Sequence, residues 1–127
     1  MIENILKQMC YHLNRDLKRR PVLRKKIGNW NKVISIHFTD TKKDYWFEMT
    51  KGNVNPLKKG KRDGDISFET TEDIFLNVIS GKMNPMIAVT TKRIKVKGTL
   101  AEVATVLQII QTQEGRIKEI LKNINQD

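Results

Sequence analysis

The sequence of 127 residues is poor in several features, and each shortage excludes a class of protein. The single cysteine, Cys10, cannot form an internal disulfide, so a disulfide-stapled secreted domain is excluded. No apolar run approaches the ~18 residues that a membrane-spanning helix requires. The N-terminal segment does not resemble a secretory signal, because polar residues interrupt it throughout and no small-residue cleavage site follows it. These absences predict a cytoplasmic protein, with residues 1–127 forming a single domain.

Acidic residues are also scarce: 14 Asp and Glu stand against 24 Lys and Arg, a net charge of +10. A charge of this size attracts polyanions, whether nucleic acids, anionic membranes or phosphorylated small molecules. The cations form four clusters, within residues 18–20, 24–26, 58–62 and 92–97. Each cluster taken alone is more typical of a solvated surface than of a binding site.

No group of residues has the spacing of a catalytic or metal site. His12 and His37 have no metal-ligand partner at a recognised spacing, and Cys10 has no paired histidine. The glycines of residues 52–64 do not form a phosphate-binding motif. The sequence therefore predicts a protein that is not an enzyme and has no catalytic residues, cofactor or metal.

The hydrophobic periodicity predicts an α+β fold. Period-two alternation indicates strands, and spacing of three and four residues indicates helices. The predicted order is a helix to about residue 20, three strands, two short helices, a fourth strand and two helices. In the fourth strand, "RIKVKG", Ile94 and Val96 are expected to point inward. Because few strands are separated by a crossover, we expect an antiparallel sheet with helices on one face.

Residues 65–110 resemble the sterol carrier protein type 2 family. The resemblance rests on a strand at residues 65–70, a helix at 72–79 opened by acidic residues, the turn "SGKMNP" and the strand "RIKVKG". Upstream, "YWFEMTKG" is similar to the family's Trp-bearing second strand. One departure is Lys92, which stands where the family usually has glycine before its last strand.

The resemblance implies a largely antiparallel five-stranded sheet covered by helices and enclosing an apolar tunnel. Because the periodicity shows four strands, the fifth is expected near residues 53–57 or near Lys32. Family members bind fatty acids, fatty acyl-CoA, phospholipids or sterols. The implied tunnel lining is Phe47, Met49, Phe68, Phe75, Ile79, Met83, Met86, Val89, Val103, Leu107, Ile117 and Leu121, and the implied rim for an anionic head group is Lys82, Lys92 and Arg93.

Three functions follow as hypotheses. The first is non-enzymatic binding and transfer of a fatty acid, fatty acyl-CoA or similar ligand, with contact to anionic membrane surfaces. The second is an accessory domain that presents a lipidic substrate to a partner enzyme through an exposed apolar patch. The third is a basic nucleic-acid-binding domain; the aromatic residues on the predicted strands suit it, but no ribonucleoprotein motif appears. Taken singly, the apolar residues of the "KMNPMIAV" corner also suit an ordinary core.

Overall fold

Residues 1–125, the part of the chain that the computed structural model describes, form six helices and six strands. In chain order these are α1 (Ile2–Lys18), α2 (Pro21–Ile27), β1 (Lys32–Phe38), β2 (Lys43–Thr50), β3 (Asn53–Val54), β4 (Lys58–Lys59), β5 (Ile66–Thr70), α3 (Glu72–Ile79), α4 (Pro85–Thr90), β6 (Lys95–Lys97), α5 (Leu100–Gln111) and α6 (Glu114–Asn125). The predicted α+β fold is confirmed. The first helix ends two residues earlier than expected, because Pro21 starts a separate helix.

The sheet is mixed and mostly antiparallel. Its strands follow the order β3-β2-β1-β5-β6, and β4 adds a sixth strand by pairing with β2. The fifth strand expected near residues 53–57 is β3, whereas β4 was not predicted, because two residues show no periodicity. The pair β1–β5 is parallel, which corrects a purely antiparallel arrangement. Asp65 aligns this pair: its N–H donates to the Val33 carbonyl (2.8 Å), and its carboxylate accepts from the Val33 N–H (2.8 Å).

Side-chain caps fix where the helices after the sheet begin. The Thr71 side chain accepts a hydrogen bond from the Ile74 N–H, and the Asn84 side chain accepts from the Met86 N–H at 2.9 Å. Thr99 and Glu102 form a reciprocal capping box at the start of α5. These caps fix the residues at which α3, α4 and α5 begin.

The turn before β6 keeps a geometry that suits glycine although its residue is lysine. Lys92 has φ +61°, in the left-handed region. The departure at this position therefore leaves the turn intact. Ile94 is buried, as expected, and Val96 lies opposite the buried Phe68 and shares its face of the sheet, but Val96 remains 37% exposed because β6 is an edge strand.

The core consists of two clusters between the helices and the inner face of the sheet. The first core cluster joins the C-terminal half of α1 and helices α2 and α5 to the strands; the second joins the N-terminal half of α1 to Phe38, Tyr45, α3 and Ile117 of α6. Ile36, Leu57 and Ile110 pack against both clusters. We call the boundary marked by these three residues the seam.

Candidate functional site

An apolar cavity lies at the seam, between the inner face of the sheet and the helices. It encloses about 60 Å³ of space that the centre of a water molecule can reach. Its walls are almost wholly apolar. The lining residues are Leu6, Met9, Cys10, Leu13, Ile34, Ser35, Ile36, Tyr45, Trp46, Phe47, Met49, Val54, Leu57, Phe68, Phe75, Val106, Ile109 and Ile110.

Cross-strand pairs build the floor of the cavity. The register of β1 and β2 places Ile34 opposite Phe47 and Ile36 opposite Tyr45. The parallel pair β1–β5 places Phe68 beside Ile36. Because side chains alternate between the two faces of a strand, these five residues share the inner face.

Two helices supply the opposite wall. On α1, Leu6, Met9, Cys10 and Leu13 follow the three- and four-residue spacing of one helical face. On α5, Val106, Ile109 and Ile110 do the same. The wall is thus formed by side chains from opposite ends of the chain.

The position of the cavity at the seam determines how it can widen. Its lining takes residues from both core clusters, and all three seam residues, Ile36, Leu57 and Ile110, belong to it. Separating the clusters along the seam would enlarge the cavity while the packing within each cluster is kept. Widening the cavity within either cluster would instead disturb close-packed side chains.

Cys10 is a buried part of the apolar wall. Burial raises the pKa of its thiol to about 12. Since the thiolate is the nucleophilic form, this cysteine is inert near neutral pH. Within residues 1–125, no three His, Cys, Asp or Glu side chains are grouped so that they could hold a metal ion.

Four of the predicted tunnel residues lie in the cavity lining, namely Phe47, Met49, Phe68 and Phe75. The others lie elsewhere. Met83, Val89, Val103 and Leu107 pack in or against the first core cluster; Ile79, Ile117 and Leu121 pack in or against the second; Met86 is 43% exposed on α4.

The three predicted rim residues, Lys82, Lys92 and Arg93, are exposed on the turns that flank α4, outside the cavity lining. The Arg93 guanidinium lies 4.0 Å from the Met83 sulfur. The sequence reasoning missed the α1 wall. The spacing of its apolar residues was visible, but it is the same spacing that any buried helix shows.

The outer face of the sheet carries a larger groove of about 430 Å³, whose lining mixes polar and apolar side chains. His37 Nδ1 lies 2.8 Å from Asp44 Oδ1 in this groove. The Arg62 guanidinium lies 4.2 Å from the centre of the Trp46 ring and 2.7 Å from a Glu48 carboxylate oxygen. The groove lining mixes four cations, Lys61, Arg62, Lys95 and Lys97, with three carboxylates, Asp44, Asp63 and Glu69. Its charges therefore nearly balance.

The sequence pattern of the SCP-2 sterol transfer family matches residues 13–111. The chain belongs to this family. Sterol carrier protein 2 of Arabidopsis thaliana is 38% identical over 60 residues, which are 45% of this chain and 46% of that protein. The chain thus matches just under half the length of this curated relative.

Two solved structures share the fold. A crystal structure of sterol carrier protein 2, 18% identical, superposes with a TM-score of 0.64 and covers 89% of this chain and 95% of its own. A solution structure of sterol carrier protein 2 from Aedes aegypti in complex with palmitate is 16% identical, with a TM-score of 0.62 and coverage of 88% and 96%. Within residues 1–125, no helix is both long enough and apolar enough to cross a membrane.

Proposed function

We propose that this protein binds one molecule with a long alkyl chain in the seam cavity and transfers it without chemical change. The observation that carries the proposal is the apolar cavity walled by α1, α5 and the inner face of the sheet. Membership of a sterol transfer family and the palmitate complex of a protein with the same fold support it. A fatty acid or fatty acyl-CoA is the ligand class we propose.

The cavity must widen to hold such a ligand. Pockets for small organic ligands enclose about 300–1,000 Å³, whereas this cavity encloses about 60 Å³. We propose that the alkyl chain enters along the seam and separates the two core clusters. Burying about fifteen methylene groups at ~0.8 kcal/mol each yields roughly 12 kcal/mol, from which the cost of opening and of immobilising the ligand is subtracted.

Three of the remaining predicted tunnel residues suit this widened state. We propose that Met83, Val89 and Leu107 become accessible to the alkyl chain as the first core cluster moves, because Met83 and Val89 are only partly buried beside that cluster. Methionine is unbranched and polarisable, so Met83 suits an irregular alkyl surface. We propose that Lys82, Lys92 and Arg93 attract an anionic head group to this end of the molecule.

The accessory-domain function is the second candidate. It requires an exposed apolar patch, and Met86, Ile87 and Leu100 are 43%, 56% and 75% exposed. The nucleic-acid hypothesis gains less support, because Arg62 already occupies one face of the Trp46 ring. A base that stacked there would have to displace it.

The first test is native mass spectrometry of the purified protein, followed by extraction and identification of any bound lipid. A second test measures uptake of a fluorescent fatty acid by Val106→Phe. Val106 lines the cavity, so the added ring fills the existing space and occupies the entry point of the alkyl chain. We expect affinity for the probe to fall about tenfold or more, with little change in stability.

Val103→Phe is the matched control, since Val103 is buried on the same helix but outside the cavity lining. It should lower the free energy of unfolding by about 1–3 kcal/mol through overpacking, while the folded protein still takes up the probe. If Val103→Phe blocks uptake and Val106→Phe does not, the ligand occupies the region around Val103 and our site is wrong.

A further inference from the structure

One part of the cavity wall is a loop. Leu57 lies between β3 and β4, outside both helices and strands, whereas each of the other lining residues belongs to a helix or a strand. Its neighbours Pro56 and Lys58 are exposed, and Leu57 itself is partly buried. Leu57 therefore has the cavity on one side and solvent on the other.

The chain on the N-terminal side of Leu57 is firmly held. The Asn14 side chain of α1 makes two hydrogen bonds with the backbone of Val54: its Nδ2 donates to the carbonyl at 2.8 Å, and its Oδ1 accepts from the N–H at 2.7 Å. The Asn55 N–H donates to the Glu48 carbonyl at 2.9 Å. A movement of Leu57 must therefore begin after Asn55.

The chain on the C-terminal side of Leu57 is held less firmly. Strand β4 has two residues, both exposed, and pairs with β2. Lys59 Nζ lies 2.8 Å from Glu3 Oε1 of α1, but the Lys59 side chain is 66% exposed, and ion pairs at such positions contribute little to stability. Gly60 follows with φ +111° and open space where a β-carbon would stand, so it can act as a hinge.

The other walls of the cavity are held by many buried side chains. Helix α1 buries seven residues and α5 buries five, and β1 lies between β2 and β5 in the sheet. Opening the cavity at one of these elements would expose several buried side chains, whereas moving Leu57 exposes one that is already partly exposed. Segments with few buried contacts open at the lowest cost in free energy.

We propose that residues 56–60 form a gate through which an alkyl chain enters and leaves the seam cavity. Strand β4 separates from β2, Leu57 withdraws from the wall, and the first methylene groups take its place against the two core clusters. Because Leu57 is one of the three seam residues, its withdrawal begins the separation along the seam that a long chain completes. The inference rests on the proposed function, since a gate serves only a cavity that takes up a ligand.

The test locks the gate with a disulfide. Trp46 and Lys58 are opposite residues of β2 and β4, and opposite residues of antiparallel strands have Cα atoms about 4.5–5.5 Å apart, a distance that a disulfide spans. Trp46→Cys/Lys58→Cys should take up the fluorescent fatty acid about tenfold more slowly, or slower still, when oxidised than when reduced. Since both forms have the same sequence, the comparison removes the effect of losing the Trp46 ring. Protein that is loaded while reduced and then oxidised should also release the probe more slowly.

The matched control is Thr50→Cys/Asn53→Cys, which joins opposite, exposed residues of β2 and β3 on the firmly held side of the gate. Its oxidised and reduced forms should take up the probe at the same rate. Equal rates in the two forms of Trp46→Cys/Lys58→Cys would show that the alkyl chain enters elsewhere. Equal slowing in the two oxidised variants would show that any crosslink in this sheet slows uptake. Either result overturns the proposal.

A second pair of variants tests the gate without a disulfide. Glu3→Gln weakens the contact with Lys59 and should raise the rate of uptake about two- to fivefold. Glu114→Gln is the control, because it makes the same change of charge at an exposed ion pair of the same length, 2.8 Å, with Lys118 on α6. It should leave the rate unchanged. Equal rates in Glu3→Gln and Glu114→Gln would contradict a closed gate held by Lys59.

These measurements separate the gate from the proposed function. A wild-type protein that takes up no probe, however long it is incubated, would contradict the proposed function. A protein that takes up the probe at the same rate with the gate locked or unlocked would contradict the gate alone.

Discussion

The two faces of the sheet border spaces of different character. The inner face borders an apolar cavity of about 60 Å³ walled by α1 and α5, and the outer face borders an open groove of about 430 Å³. The strands are shared, so adjacent residues of one strand face different environments. In β1, Ile36 packs at the seam, while His37 meets Asp44 in the groove.

The volume of the two spaces is a poorer guide to the binding site than the polarity of their walls. In the groove, His37 contacts Asp44, Arg62 pairs with Glu48 beside it, and the groove is open to solvent. A ligand there would have to replace those contacts, and the net gain from such exchanges is small. In the cavity, every methylene group that enters leaves water and displaces no polar contact. The smaller space is therefore the better site for an alkyl chain.

The largest expected effect is a difference in stability between variants at two adjacent residues of β5. One of these residues faces the cavity and the other faces the groove. Phe68 is 7% exposed and lines the cavity, whereas Glu69 is exposed on the groove side. Phe68→Ala should lower the free energy of unfolding by about 3–5 kcal/mol, because it removes a buried ring and leaves a void. Glu69→Ala should change it by about 0.5 kcal/mol or less. Urea denaturation of the two variants measures both values.

Similar losses in Phe68→Ala and Glu69→Ala would show that the outer face contributes to the core as much as the inner face does. Glu69→Ala is also the control for changes in the strand itself, since it alters β5 at the adjacent position without changing the cavity wall.

Much of the fold was predictable from local patterns. The alternation of Ile34, Ile36 and Phe38 identifies β1 and its buried face, and Asn84 before Pro85 marks the start of α4. The parallel pairing of β1 with β5 was not predictable, because alternation fixes which face is buried but not which strand lies alongside. The two-residue strand β4 is too short to show any period.

The candidate site was less predictable than the fold. Phe47, Met49, Phe68 and Phe75 were identified because they lie on strands and a helix that the family resemblance places at the tunnel. The α1 wall was missed for a physical reason: the spacing of Leu6, Met9, Cys10 and Leu13 shows that one face is buried but not against what. Only the crossing of α1 over the seam makes that face a cavity wall.

The next largest effect is expected in the pH dependence of stability, because Cys10 is buried in the cavity wall. Burial raises the pKa of its thiol to about 12, against an ordinary value of 9.0. Above that ordinary value the unfolded chain releases the thiol proton and the folded protein retains it, so stability falls as pH rises. We expect Cys10 to lower the free energy of unfolding by about 1.4 kcal/mol as the pH rises from about 8 to about 10.

Cys10→Ala isolates this contribution, because lysines and tyrosines titrate equally in both proteins. Urea denaturation at the two pH values should show that the free energy of unfolding falls less in Cys10→Ala than in the wild-type protein. Equal declines would mean that the thiol reaches solvent in the folded state and that the α1 wall is open. Slow reaction of wild-type Cys10 with a thiol reagent provides a second measure of the same closure.

The smallest effect is expected in the groove, where His37→Ala removes the 2.8 Å contact with Asp44. Both side chains are partly exposed, and polar contacts at such positions contribute about 0–1 kcal/mol. We therefore expect a change in unfolding free energy of less than about 1 kcal/mol and unchanged uptake of the fluorescent fatty acid. Loss of uptake in a stably folded His37→Ala protein would place the ligand, or its head group, on the outer face. The larger of the two spaces would then be the functional one, and its volume would outweigh the apolar walls of the smaller cavity.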